Sequence, residues 1–119
     1  MDRPVQPDGQ SQPNLAEALD RLWARFLPEM KERIAVLESA ASAAALGNLA
    51  DASREAAHAA AHKLAGVLGT FGLKRGSDLA HELEVSFSRE DGPDRSPDDD
   101  LRKSVAELRT LIETRKSPA

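Results

Sequence analysis

Apolar residues recur every three or four positions along nearly the whole chain, the spacing that gathers them on one face of an α-helix. Leu15, Leu19, Leu22, Phe26, Met30, Ile34, Leu37, Ala41 and Ala44 form the first such stripe. Pro28 falls inside it. Proline removes a backbone donor and clashes with the preceding turn, yet the apolar phase survives it, so the pattern predicts a kinked first helix or two short helices stacked end to end. Gly47 and Asn48 supply the stop. A second helix is predicted from about Leu49 to Leu68 or slightly beyond, with Ala52, Ala56, Ala60, Leu64, Val67 and Phe71 facing inward. Gly72 ends or turns it, and Leu73, Gly76, Leu79, Ala80, Leu83 and Phe87 make a third stripe. From Glu90 to Asp98 the chain has Gly92, Pro93 and Pro97 among charges and reads as a solvated connection. Ser96, Pro97 and Asp98 to Asp100 mark the next helix start, because carboxylates in a first turn meet the positive end of the helix dipole. Leu101, Val105, Leu108 and Ile112 form its inward face, and Arg115 and Lys116 suit its negative C-terminal end.

Residues 1–13 hold Pro4, Pro7 and Pro13 among polar side chains and have nothing to bury, which predicts a disordered tail, with 117–119 as a short C-terminal one. Residues 14–116 are then one all-α domain, an antiparallel four-helix bundle with an additional N-terminal helix or a kinked first helix. A length of 119 residues supports a single modest core, and an alanine-heavy middle with few aromatics agrees with helices packed on helices. Sixteen Lys and Arg against 20 Asp and Glu give a net charge of -4, so no basic field draws the chain to nucleic acid or anionic lipid. There is no cysteine, which excludes disulfides and thiolate metal sites, and the lack of a long apolar run or signal-like start points to a soluble, cytoplasmic protein. Without an evident second apolar face, a monomer is the default.

The chemistry concentrates in Ala61 to Glu84. His62 lies two residues from both Ala60 and Leu64, about 200° of helix rotation, so it projects away from the core. It shares a solvent-facing row with Glu55, His58, Ala65, Gly66 and Gly69. Glycine inside a helix costs roughly 1 kcal/mol against alanine, so Gly66 and Gly69 on an exposed face need a reason, and close approach by a partner's backbone supplies one. A neutral imidazole is a nucleophile, and with an ordinary pKa of about 6.5 an exposed one is mostly neutral above pH 7. Nothing in the chain resembles a Gly-rich nucleotide loop or an acidic metal cluster.

His62-Lys63-Leu64-Ala65-Gly66, followed by Gly69, Phe71-Gly72-Leu73, Leu79 and Leu83-Glu84, resembles the histidine-containing phosphotransfer (HPt) domains of bacterial two-component phosphorelays. The resemblance implies a four-helix bundle whose exposed histidine, His62, accepts a phosphoryl group from a receiver-domain aspartate or a hybrid histidine kinase and passes it to another receiver. Gly66 matches the glycine that clears space for the partner, and Gly72 the turn glycine. Many members carry a lysine three residues after the histidine to steady the phosphoryl group. Here that position is Ala65, and Lys63 stands about 100° around the helix instead. The domain is then a phosphocarrier without kinase or ATP-binding machinery, with no cofactor of its own and Mg²⁺ supplied by the partner receiver.

Blander readings stand beside these. His58, one turn before His62, is a rim residue or a plain surface histidine, and His58 with His62 as an HxxxH zinc site would be exposed and incomplete. His81 falls opposite Leu79 and Leu83 and receives no role. Lys63, Lys74 and Arg75 either attract an acidic partner or form a solvated face. Gly69 and Gly76 either admit a partner or allow close helix packing, and packing suits Gly76, on the inward stripe, better. Trp23 is expected at the bundle edge or under the docking face. The competing function is an HPt-like module that docks a receiver or kinase without transferring phosphate, followed by a metal-binding bundle.

Overall fold

The computed structural model describes residues 8–88 and 98–115, with side chains over 15–88 and 101–115. Four helices follow one another, α1 (Asp8–Ala45), α2 (Asp51–Thr70), α3 (Lys74–Ser86) and α4 (Asp98–Glu113), and no strand is present among the described residues. Short links make sequential helices antiparallel neighbours. Helix α1 packs on α2 and α4, and α3 packs on the same two, so the four close into a ring around one core. The all-α bundle predicted from the apolar stripes is the observed fold.

Helix α1 departs from expectation in two ways. It runs unbroken through Pro28 for 38 residues, so it is one helix and not two short ones stacked end to end. The apolar rows on both sides of Pro28 bury against the same neighbours and hold the helix together where one hydrogen bond is lost. It also begins at Asp8, not near Asn14, because a helix anchored by later residues extends at little cost. The tail predicted over 1–7, the connection over 89–97 and the C-terminal residues from Lys116 onward lie outside the described residues.

At 1.5 Å per residue α1 is about 57 Å long and α2 about 30 Å, and the molecule measures 68 × 21 × 20 Å. Its N-terminal part therefore outruns the bundle. Leu15, Leu22 and Phe26 remain exposed, against the predicted stripe. Each four-residue step overshoots a full turn by about 40°, which carries Phe26 and Leu22 progressively away from Met30. Trp23 and Leu27 take the inward positions instead.

The core joins Trp23, Met30, Ile34 and Leu37 of α1 to Leu64 and Leu68 of α2, Leu79 and Leu83 of α3 with Phe87 just after it, and Val105, Leu108 and Ile112 of α4. In α2 the inward row is Ala57, Ala60, Ala61, Leu64 and Leu68. Ala52 and Ala56 are exposed, a correction to the predicted row. Alanine supplies no contrast between faces, so only the leucines fix the phase. Gly47 and Gly72 have φ of 74° and 76°, and each closes its helix with paired bonds, Asn48 N–H to Ala43 O at 2.9 Å and Leu73 N–H to Leu68 O at 2.9 Å. That left-handed C-terminal cap is the one glycine favours. A Cβ on Gly76 would lie 3.2 Å from Leu68 Cδ1, so this glycine serves close packing of α3 on α2.

Charged pairs tie the helices at the rim. Arg109 Nε and Nη2 donate to both carboxylate oxygens of Glu38 at 2.6 and 2.8 Å, joining α4 to α1. Arg115 packs over the rings of Trp23 (4.8 Å) and Phe71 (5.5 Å) and donates to Asp20 at 3.2 Å. It fastens the chain end to α1 and α2 rather than capping α4. Trp23 in turn meets Phe71 edge-on at 5.1 Å. The Arg109 hydrogen bond holds the Glu38 carboxyl below its ordinary range, burial opposing it. A carboxyl depressed by folding stabilises the protein above its unfolded-state pKa, and that contribution is lost as pH falls through the lower folded-state value. Glu38→Gln is accordingly expected to lower stability near neutral pH and to flatten its loss in acid, read as melting temperature against pH as the pH falls through and below the ordinary carboxylate range.

Candidate functional site

Helix α2 lies between α1 and α3, and its outward row carries the candidate chemistry. His62 is exposed, as its phase requires, with 70% of its side chain open to solvent. Its Nδ1 lies 2.9 Å from Glu84 Oε2 on α3. An ionised carboxylate only accepts, so Nδ1–H donates, and the neutral ring keeps the lone pair of Nε2 available on its other side. Glu84 is itself largely covered, its side chain 18% exposed, which fixes the acceptor far better than a mobile surface carboxylate would.

The other two histidines gather at the same group. His58 Nε2 lies 3.8 Å from Glu84 Oε2 and His81 Nδ1 lies 3.5 Å from Oε1. His58 is thus part of the His62 surroundings, and His81, given no role from sequence, belongs there too. Among the described residues no group of three or more His, Cys, Asp or Glu side chains is placed to hold a metal ion. The role of Glu84 was missed because it depends on how α3 is rotated against α2. Its sequence signal was its place directly after inward Leu83, at the edge of the buried face.

Gly66 sits one turn after His62, and a Cβ built there meets nothing within 4 Å. The fold itself has no steric need of this glycine. Gly69 differs, since its Cβ would lie 3.5 Å from Ser77 Oγ, and Ser77 Oγ donates to Ala65 O at 2.9 Å. Gly69 therefore borders α3, and Ala65 is half-buried against the core. On the α1 side, His62, Lys63 and Gly66 line an open groove of about 560 Å³ whose far wall includes Phe26, Glu29 and Arg33. Lys63 makes no ion pair among the described residues. Lys74 and Arg75 are not brought to His62. They lie about ten residues, roughly 15 Å of helix, from Glu84, and are paired with Asp78 at 3.6 Å and Glu107 at 2.9 Å.

Fold and site together define a helical bundle that presents a carboxylate-tethered imidazole beside a patch stripped of side chains. The Hpt domain family model matches residues 21–116, and the chain belongs to that family. Neither curated proteins nor solved structures gave a match. Hpt domains act in histidine phosphotransfer within two-component systems, as phosphocarriers rather than enzymes, and interact with receiver domains and kinases. No helix among the described residues is long and apolar enough to cross a membrane.

Proposed function

We propose that His62 is the phosphoacceptor of a phosphorelay, taking a phosphoryl group from the aspartate of a receiver domain, or from a hybrid kinase, and returning it to another receiver. The supporting observation is the bond from His62 Nδ1–H to half-buried Glu84 on an otherwise open imidazole. In transfer from an aspartyl phosphate, the Nε2 lone pair forms the N–P bond while the P–O bond breaks and its electrons pass to the aspartate carboxylate. No proton has to leave, since Nε2 carries none. The ring becomes cationic, and its Nδ1–H still faces the Glu84 carboxylate, which stabilises that charge in the forward and reverse directions. Mg²⁺, in this reading, belongs to the partner receiver and neutralises charge on the moving oxygens. Gly66 and Ala65 let the partner's backbone approach, Lys63 and His58 border the docking face, and Gly72 shapes the turn that ends α2.

The test is transfer of label from a phosphorylated receiver to the protein, with an acid-labile, base-stable product expected. Glu84→Gln keeps an acceptor but removes the charge. With charge-assisted hydrogen bonds worth about 1.5–3 kcal/mol, transfer is expected to slow by roughly ten- to a hundredfold. Glu84→Ala transferring at the wild-type rate would overturn the role given to this carboxylate. Ala65, where a lysine is common in the family, favours a second reading as a docking module, which predicts receiver binding with no label on the protein.

A further inference from the structure

The group that moves to His62 carries negative charge on three oxygens, so an acceptor site set against a glutamate needs cations within reach of those oxygens. Beside α3 the Glu84 carboxylate gathers His62, His58 and His81, and among the described residues no Lys or Arg pairs with it. Ala65 contributes no charge. The cations stand on the opposite side, in the α1–α2 groove, where Arg33 and Lys63 line the same hollow as His62 and Gly66. Helices α1 and α2 run antiparallel with Phe26 packed edge-on against Phe71 at 6.4 Å. Seven residues farther along α1, Arg33 comes level with the stretch of α2 that carries His62 and Lys63, two turns from that contact.

Arg33 is suited to the task in a way Lys63 is not. Its side chain is 23% exposed and lines the groove, so packing holds most of it in place. Its fork of donors matches phosphoryl oxygens in pairs. Among the described residues its partner is Glu29, one turn earlier on α1, at 3.3 Å and 60% exposed. Exposed pairs one turn apart on a helix are weak, so an incoming phosphoryl group can displace Glu29.

We propose that Arg33, reaching across the α1–α2 groove, binds the phosphoryl oxygens during transfer at His62 and in the phosphohistidine that results. This rests on the phosphoacceptor role of His62. Arg33 forms and breaks no covalent bond. It donates hydrogen bonds to oxygens whose charge is redistributed while the P–O bond gives way to the N–P bond, and Lys63 adds a second, looser charge from the α2 wall.

The experiment measures transfer from a phosphorylated receiver to the full chain across receiver concentrations, for wild type, Arg33→Gln, Arg33→Lys and Glu29→Gln, with helical content and melting followed for each. Arg33→Gln is expected to lower the saturating rate tenfold or more while the half-saturating receiver concentration moves less than about twofold, and to shorten the half-life of the isolated phosphoprotein. Arg33→Lys restores most of the rate. Glu29→Gln, which frees the guanidinium, raises the rate. Arg33→Gln with unchanged saturating rate and half-life, or with only a raised half-saturation, would overturn the proposal. If Arg33→Gln fails to fold, an unchanged rate in Glu29→Gln overturns it as well. Wild type that takes no label at all would instead remove the phosphoacceptor reading on which it stands.

Discussion

His62→Gln is expected to abolish phosphoryl acceptance and to leave the bundle folded. Glutamine has no nucleophilic ring nitrogen, so nothing at this position can form the N–P bond. The fold should not notice, because the ring is 70% exposed and its single short contact is with Glu84. Surface substitutions of this kind usually fall within about 0.5 kcal/mol, and the glutamine amide can still donate to the carboxylate. Labelling from a phosphorylated receiver, run beside a thermal melt, checks both halves. A folded His62→Gln protein that still takes acid-labile label would end the assignment, and His58 or His81, which border the same carboxylate, would be the next residues to replace.

Gly66→Leu is the second large effect, and here stability and transfer should move in opposite directions. A Cβ at Gly66 meets nothing within 4 Å, so a larger side chain can root there and extend into the open groove. Exchanging a helical glycine for leucine relieves up to about 0.8–1 kcal/mol of helix cost, so the melting temperature should hold or rise. The new side chain nevertheless fills part of the groove one turn from His62. A displacement of about 1 Å from the productive geometry can cost on the order of a hundredfold in rate, and a leucine displaces a docked backbone by more than that. Transfer at the wild-type rate from a protein that melts normally would show that no partner passes over Gly66.

Helices α3 and α4 were legible from their sequences because Leu, Val, Ile and Phe sit against charged neighbours and define a single phase. The glycine stops at Gly47 and Gly72 were legible because a left-handed residue closing a helix has few substitutes. The rotation of α2 was half legible. Leu64 and Leu68 fixed it toward its C-terminus, which is why His62 was correctly placed outward, but the alanines before them left the inward row ambiguous. Helix α1 misled in its first half because an apolar stripe records which residues can be buried, while the length of the neighbouring helices decides which are. The candidate site divides the same way. His62 and Gly66 are features of one helix and were read from its periodicity. Glu84 acquires meaning only through its contact with His62 across helices, and Arg33 through the groove that α1 and α2 line together, a kind of information that spacing along the chain does not hold.

Gly66 has a consequence for how such a protein tells one partner from another. On the proposed docking over Gly66, a surface whose centre is bare backbone offers few distinguishing side chains, so any receiver of the right shape would be admitted there at similar cost. Discrimination then falls to the periphery, where a mismatched charge penalises the wrong partner more than a matched one rewards the right one. Glu29, Arg33 and Lys63, which line the groove beside Gly66, are the charges on such a border. Re-wiring this protein to a new receiver would call for changes along that border, with the centre left as it is.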